Sequence, residues 1–506
     1  MFYSAAAVFY IHHIISCNSA QNIYVAICEL CIANYVIICY NIMQTKGEDV
    51  LEENKMGVMP VNKLIINMSL PMIISMLVQA LYNIVDSVFV AMVNQESLTA
   101  VSLSFPAQNL MIGFATGTAV GVNALISRAL GEKNGERANK IAENGVFLAL
   151  LSSIAFFLFG VFGSKLFISS QTSVQYIIDE GAKYLQVCCG ASFGIFFEIM
   201  YERLLQSTGR TFYTMITQGV GAIINIILDP VFIFVFKMGV RGAAIATVIG
   251  QIVAFILAVY FNRHKNPDLH LDFKKFKPNG RLIGEIYKIG VPSILMVAIG
   301  SVMTYFMNKI LIAYTLGKEL SVNVFGAFFK LNSFICMPIF GLNNGIIPII
   351  AYNYGAMKKH RMIKTIKLSV VYAEAFSLIG ALLFFALPKV LLGFFSATPE
   401  MLRIGIPALK IISVSFLFAG ANIALSGVFQ SFGKSIFSMI SSFIRQLVVL
   451  IPAAYILARY GLSIGNDDLV WWSYSIADFA ASVVSISLFI VLYKKIIKPI
   501  RDDKTE

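Results

Sequence analysis

The chain has 506 residues, of which 58% are hydrophobic and only 13% charged, and its formal net charge is +12. About a quarter of a typical soluble chain is charged, so this composition, with a mean hydropathy of +0.77, excludes an ordinary soluble domain and points to the lipid bilayer as solvent. A basic balance could suit nucleic acid, but no interleaved aromatic and basic module accompanies it, and no nucleic-acid partner is expected.

Residues 1–42 differ from the rest. They hold Cys17, Cys28, Cys31 and Cys39 and contain no Lys or Arg. They lack the cationic start and small-residue cleavage site of a signal peptide. Residues 22–43 are long enough to cross a bilayer, but Glu29 interrupts them. The Cys28-x-x-Cys31 spacing has no second cysteine or histidine pair to complete a metal site. The expectation is an appended segment, with Met43 or Met56 as the working start.

Beyond it come twelve apolar runs, near 64–92, 98–126, 142–163, 184–206, 212–236, 242–261, 285–314, 322–351, 365–388, 405–431, 436–458 and 470–493. A spanning helix needs ~20 apolar residues, and runs this long suit helices better than strands. Cations collect at alternate junctions: Arg128, Lys133, Arg137 and Lys140; Arg203 and Arg210; Arg263 to Lys288; Lys358, Lys359, Arg361 and Lys364; and Lys494, Lys495, Lys498 and Arg501. The opposite junctions carry scattered cations such as Lys165, Lys183, Arg241, Lys318 and Arg459. Basic loops stay in the cytoplasm, which predicts that both ends of the bundle are cytoplasmic.

The chain is also a duplication. GVNALISRALG from Gly121 and GIIPIIAYNYG from Gly345 are 224 residues apart, and so are Gln206 of LQSTGR and Gln430 of FQSFGK. Six helices per copy is an even number, so the copies enter on the same side and are parallel. The expected fold class is an all-α integral membrane protein, with two parallel six-helix lobes around a central cavity. The lobes are 43–262 and 285–506, joined by a cytoplasmic linker over 263–284. Gly433-Lys434-Ser435 mimics part of a phosphate loop, but Gly433 matches Gly209 of the other copy and is a repeat feature.

Polar groups in apolar helices carry the functional expectation, because a mid-bilayer charge costs about 2.5–3.5 kcal/mol on insertion scales. In helix 1, Gln79, Asn83 and Asp86 share a face, and in helix 5 so do Gln218, Asn225 and Asp229. Pro230 follows Asp229 and frees the carbonyl of Ile226. Glu198 of helix 4 lies two turns inside the basic end and joins the same group. Glu202, beside Arg203, is read as interfacial. The second copy lacks these acids: Asn308 falls opposite Asp86, and Asp229 falls opposite Leu450 or Ile451. Its intramembrane Lys309, Lys330, Glu374, Arg445 and Asp478 include one pair, Arg445 and Asp478, that would neutralise itself. Gln79, Tyr82, Asn83, Met200, Gln218 and Asn308 are expected to line the cavity.

The LYNIVD stretch with Asp86, the LLQSTGR junction, NIILDPVFIF with Asp229, and GVRGAAIATVIGQ (239–251) resemble the multidrug and toxic compound extrusion (MATE) family, particularly its MepA-like bacterial branch. The resemblance covers roughly residues 56–495. It implies a secondary antiporter of the bacterial cell membrane that exports small-molecule organic cations in exchange for H⁺ or Na⁺, with no cofactor and acting as a monomer. It also implies that the helix 1 acid and the N-x-x-x-D pair of helix 5, here Asp86, Asn225 and Asp229, couple the ion.

Two other readings are set against it. A lipid-linked oligosaccharide flippase of the same superfamily would need arginines facing inward in both lobes, and only Lys309, Lys330 and Arg445 qualify, all in the second. A membrane-embedded enzyme would need a nucleophile or metal motif in a helix. His12, His13, His264, His270 and His360 all fall in the extension or loops, and neither H-E-x-x-H nor G-x-S-x-G occurs.

Overall fold

In the computed structural model, residues 54–501 other than Lys275 and Ser396 are described. The expectations for residues 1–42 therefore lie outside the described residues. Ten helices are long and apolar enough to cross a membrane, and two bent pairs raise the number to twelve; among the described residues there is no strand.

The helices of the first lobe are α1 (Val61–Val93), α2 (Gln95–Gly131), α3 (Gly135–Leu158), α4, α5 (Thr211–Pro230) and α6 (Val240–Lys265). Helix α4 is broken into Gln175–Gly190 and Phe193–Ser207, which meet at 43°. The second lobe repeats the order: α7 (Gly280–Tyr314), α8 (Glu319–Gly355), α9 (Lys359–Ala386), α10, α11 (Ser435–Phe443, continued through a π segment by Ile451–Ile464) and α12 (Trp472–Leu492). Helix α10 is broken like α4, into Pro399–Ser413 and Phe416–Ser431 at 56°. The apolar runs near 184–206 and 405–431 did not signal either break, since no charged residue marks the bend in either.

Local chemistry sets the ends. Asn94, Asn134 and Asn279 accept backbone N–H bonds at the starts of α2, α3 and α7. Gly209 and Gly433 have φ of 85° and 69°. Their N–H groups bond back to the carbonyls of Gln206 and Gln430, closing α4 and α10. The repeated glycine is therefore a helix stop in each copy. Pro230 ends α5 as expected, and the chain continues as a π turn over Val231–Val235. The linker lies along α3: the N–H groups of His270 and Asn279 donate to Asn139 and Asn144. Within it, burial raises the pKa of Asp268, an effect that Arg210 and the Asn54 amide oppose.

The lobes cross at one end. Helix α1 packs on α8, and α2 packs on both α7 and α8. A Cβ on Gly131 would overlap the carbonyl of Tyr352, and one on Gly355 that of Arg128. The repeated motifs thus end in a reciprocal contact between the two lobes. Polar bonds fasten the same end. Arg361 donates to the carbonyls of Met56 and Met59, Asn353 to Met56, and Arg203 to Asn344. Arg137 pairs with Glu285 at 2.9 Å, and the Arg128 guanidinium lies over the Tyr354 ring. All these residues lie near the basic junctions. Toward the opposite ends of α1 and α7, Asn83, Tyr305 and Phe306 are exposed. The polar bonds and glycine contacts between the lobes thus gather at the basic end.

Candidate functional site

The first-lobe polar residues converge where α1, α4, α5 and α6 meet. Asp229 is fully buried and Asn225 is 3% exposed. They stand one turn apart on α5, and the Asn225 amide donates to Asp229 Oδ1 (3.3 Å) and to Thr247 Oγ1 on α6 (3.3 Å). Asp86 comes from α1 into electrostatic reach of Asp229. Asp86 Oδ1 and Asp229 Oδ2 are buried and have no hydrogen-bond partner among the described residues. Tyr82 is within electrostatic reach of Glu198, Asp86 and Asp229, and its hydroxyl lies beside Gln79. A carboxylate oxygen buried without a partner is costly unless it holds a proton or a cation. Two such oxygens in one pocket form a site for either.

The structure thus brings together six residues singled out from sequence: Gln79, Tyr82, Asp86, Glu198, Asn225 and Asp229. Asn83 is exposed one turn before Ser87, whose hydroxyl donates to its carbonyl. Asn308 lies on α7 with its Oδ1 buried and unpartnered, so the second lobe holds a neutral acceptor where the first holds Asp86.

Three readings change. Met200 does not line the cavity: it is 2% exposed in the packed core of the first lobe, its sulfur against Gly145 of α3. The break in α4 sets its second half at a rotation that the apolar run did not reveal. Gln218 is not turned to the open cavity, because its amide donates to Glu202 (2.7 Å). Glu202 is not interfacial; at 2% exposure it is buried, also accepting from Thr217.

Sequence reasoning also missed Thr247, Gln108 and Tyr184. Thr247 was visible within the GVRGAAIATVIGQ stretch, where it is a hydroxyl among apolar neighbours. The Gln108 amide donates to the Tyr184 hydroxyl (3.2 Å), and Tyr184 is in electrostatic reach of Asp86. No local pattern marks these two, since α2 and the first half of α4 meet α1 only in the fold.

In the second lobe, Arg445 is clamped to Asp478 by two bonds, Nε to Oδ1 at 2.5 Å and Nη2 to Oδ2 at 3.1 Å. Asp478 is 2% exposed and the guanidinium 32%. Glu374 accepts from the backbone N–H of Ala421 (2.9 Å), near the break in α10. Lys309 and Lys330 are exposed, Lys309 over the ring of Tyr305.

A twofold-repeated helical bundle with enough apolar length to span the membrane, fastened between its lobes at one end and carrying buried acids inside one lobe, belongs to the class of secondary transporters. The MatE family profile matches the chain twice, over residues 71–231 and 292–456, once per lobe. The chain belongs to the MatE family; it is a membrane transporter and not an enzyme. It is 28% identical over 436 residues to the multidrug export protein MepA of Staphylococcus haemolyticus (strain JCSC1435), covering 85% of this chain and 93% of the relative. It is 27% identical over 437 residues to MepA of Staphylococcus aureus (strain bovine RF122 / ET3-1), covering 86% and 94%. Among solved structures, the outward-facing conformation of a multidrug resistance MATE family transporter of the MOP superfamily superposes with a TM-score of 0.82. That structure is 25% identical, and the match covers 89% of this chain and all of that one.

Proposed function

We propose that this transporter exports amphipathic organic cations from the cytoplasm in exchange for H⁺, with Asp86 and Asp229 as the groups that alternately hold the proton and yield to the drug. The observation that carries this reading is the pair of buried carboxylate oxygens, one from each acid, with no partner among the described residues. Positive charge settles such oxygens, and a proton and an organic cation are mutually exclusive ways of supplying it. A proton moving down 100 mV supplies about 2.3 kcal/mol, enough to drive export without ATP. The relatives named as multidrug export proteins support the same substrate class.

The basic junctions support an orientation with the fastened end in the cytoplasm. In that orientation the bundle termini are cytoplasmic, the cavity opens outward, and the membrane is a bacterial cell membrane. The protein works as a monomer, since one chain holds both lobes and the whole site. The pairing of Arg445 with Asp478 argues against the flippase reading, because it cancels a guanidinium that a pyrophosphate-binding cavity would keep free.

The test is dye efflux from vesicles under an imposed pH gradient, then under an imposed Na⁺ gradient. The expected result is efflux with the first and none with the second. Efflux with Na⁺ alone would assign the same two acids to Na⁺.

A further inference from the structure

Glu202 has no part in the coupling group described so far. Its surroundings nonetheless suit a carboxyl that changes protonation state. Oε1 accepts from Thr217 Oγ1 and Oε2 from the Gln218 amide, both at 2.7 Å, an arrangement that holds the ionised form. The other end of that amide, Gln218 Oε1, is buried with no partner among the described residues. Rotating the amide by half a turn would present this oxygen to a protonated Glu202 as an acceptor. One side chain can thus bond both states.

The position suits transfer. Glu202 follows Glu198 by one turn on the same face of α4, on the basic-end side, and the two carboxyls interact electrostatically. Glu198 in turn reaches Tyr82, which reaches Asp86 and Asp229. The charged groups that act on Glu202 are Glu198 and Arg203. Thr214, Thr217 and Gln218 face it from α5. α6 presents Phe255 and Asn262 to neighbouring Tyr201. Arg203 is 8% exposed and donates from Nη1 to Gln206 and, across the lobe seam, to Asn344 of α8. The last acid before the seal is therefore adjacent in sequence to a residue that forms the seal.

We infer that Glu202 is the proton-release residue on the cytoplasmic side. It accepts the proton from Glu198 and passes it to cytoplasmic water once the Arg203–Asn344 bond opens. In the transfer an O–H bond on Glu198 breaks and one on Glu202 forms; that bond then breaks as water takes the proton, and no electrons move. The inference rests on the H⁺-antiport reading.

The test uses the full chain in liposomes, comparing ΔpH-driven dye transport with dye counterflow at equal pH on both sides. Glu202→Gln should keep dye binding and counterflow, lose ΔpH-driven transport about 100-fold, and lose its dependence on cytoplasmic-face pH. Glu202→Asp should recover part of the rate. Gln218→Leu, which keeps the carboxyl but removes its switching partner, should shift the cytoplasmic-face pH profile and leave the external-face profile in place. It serves as the test if Glu202→Gln fails to fold. Wild-type ΔpH-driven rates and an unchanged cytoplasmic-face profile in the folded variants would overturn the inference alone. A wild-type protein indifferent to ΔpH would overturn the antiport reading and this inference together, and the wild-type arm identifies that outcome.

Discussion

The two lobes share a scaffold but use their buried charges differently. In the first, Asp229 is bonded by the neutral Asn225 amide, and Asp86 and Asp229 each keep one buried oxygen without a partner among the described residues. In the second, Asp478 is fully engaged by Arg445, and Glu374 is held by a backbone N–H at the break in α10. The fifth helix of each copy carries a π segment, at Val231–Val235 in one and, nearer the start of the helix, at Ile444–Leu450 in the other. Next to that irregularity the first copy places an Asn and an Asp, the second an Arg. The side chains differ: the first lobe holds carboxylate oxygens without a bonded partner among the described residues, and the second a carboxylate already paired with a guanidinium.

The sharpest way to break this comparison is to remove titration from the first lobe. Asp→Asn keeps shape and hydrogen bonding. The double variant Asp86→Asn/Asp229→Asn should reduce gradient-driven dye efflux to the level of empty vesicles, with expression near normal. Efflux at the wild-type rate would move coupling to Glu374 and Asp478.

The second lobe should respond in stability. Asp478→Asn leaves the half-buried Arg445 guanidinium without its charged partner, a loss of about 1–3 kcal/mol, seen as a lower melting temperature in detergent. Arg445→Met/Asp478→Leu should recover most of it and still export dye. Loss of coupling in a thermally stable double variant would show that both lobes are active.

The seal offers a symmetric test. Gly131→Ala and Gly355→Ala each place a methyl against a backbone carbonyl of the other lobe. Overpacking of this kind costs about 1–3 kcal/mol, charged here to the sealed state alone. Cysteines at Ser69 and Leu342, which are hydrogen-bonded across the seam, should crosslink less in either variant, and equally in both if the seal is symmetric. The smallest effect belongs to Glu374→Gln, which keeps an acceptor for Ala421 and should cost no more than about 1 kcal/mol. A large loss of transport in that variant would give the second lobe a coupling acid.

The sequence by itself determined the membrane class, the duplication, the even helix count and the family. These follow from properties that repeat along the chain: apolar length, the spacing of GVNALISRALG against GIIPIIAYNYG, and cations at every second junction. It also marked Asp86, Asn225 and Asp229, because a carboxylate in an apolar helix is conspicuous without any fold. The tertiary structure decided what surrounds them. Thr247 reaches Asn225, and Tyr184 approaches Asp86, only because α4 and α6 pack around α1 and α5. Met200 and Glu202 were misread because their helix bends, and a bend changes which face meets which neighbour without changing hydropathy. The repeated glycines were legible as a repeat, but not as a seal: the contact of Gly131 with Tyr352 joins residues of different lobes, and no local pattern encodes a separation that long.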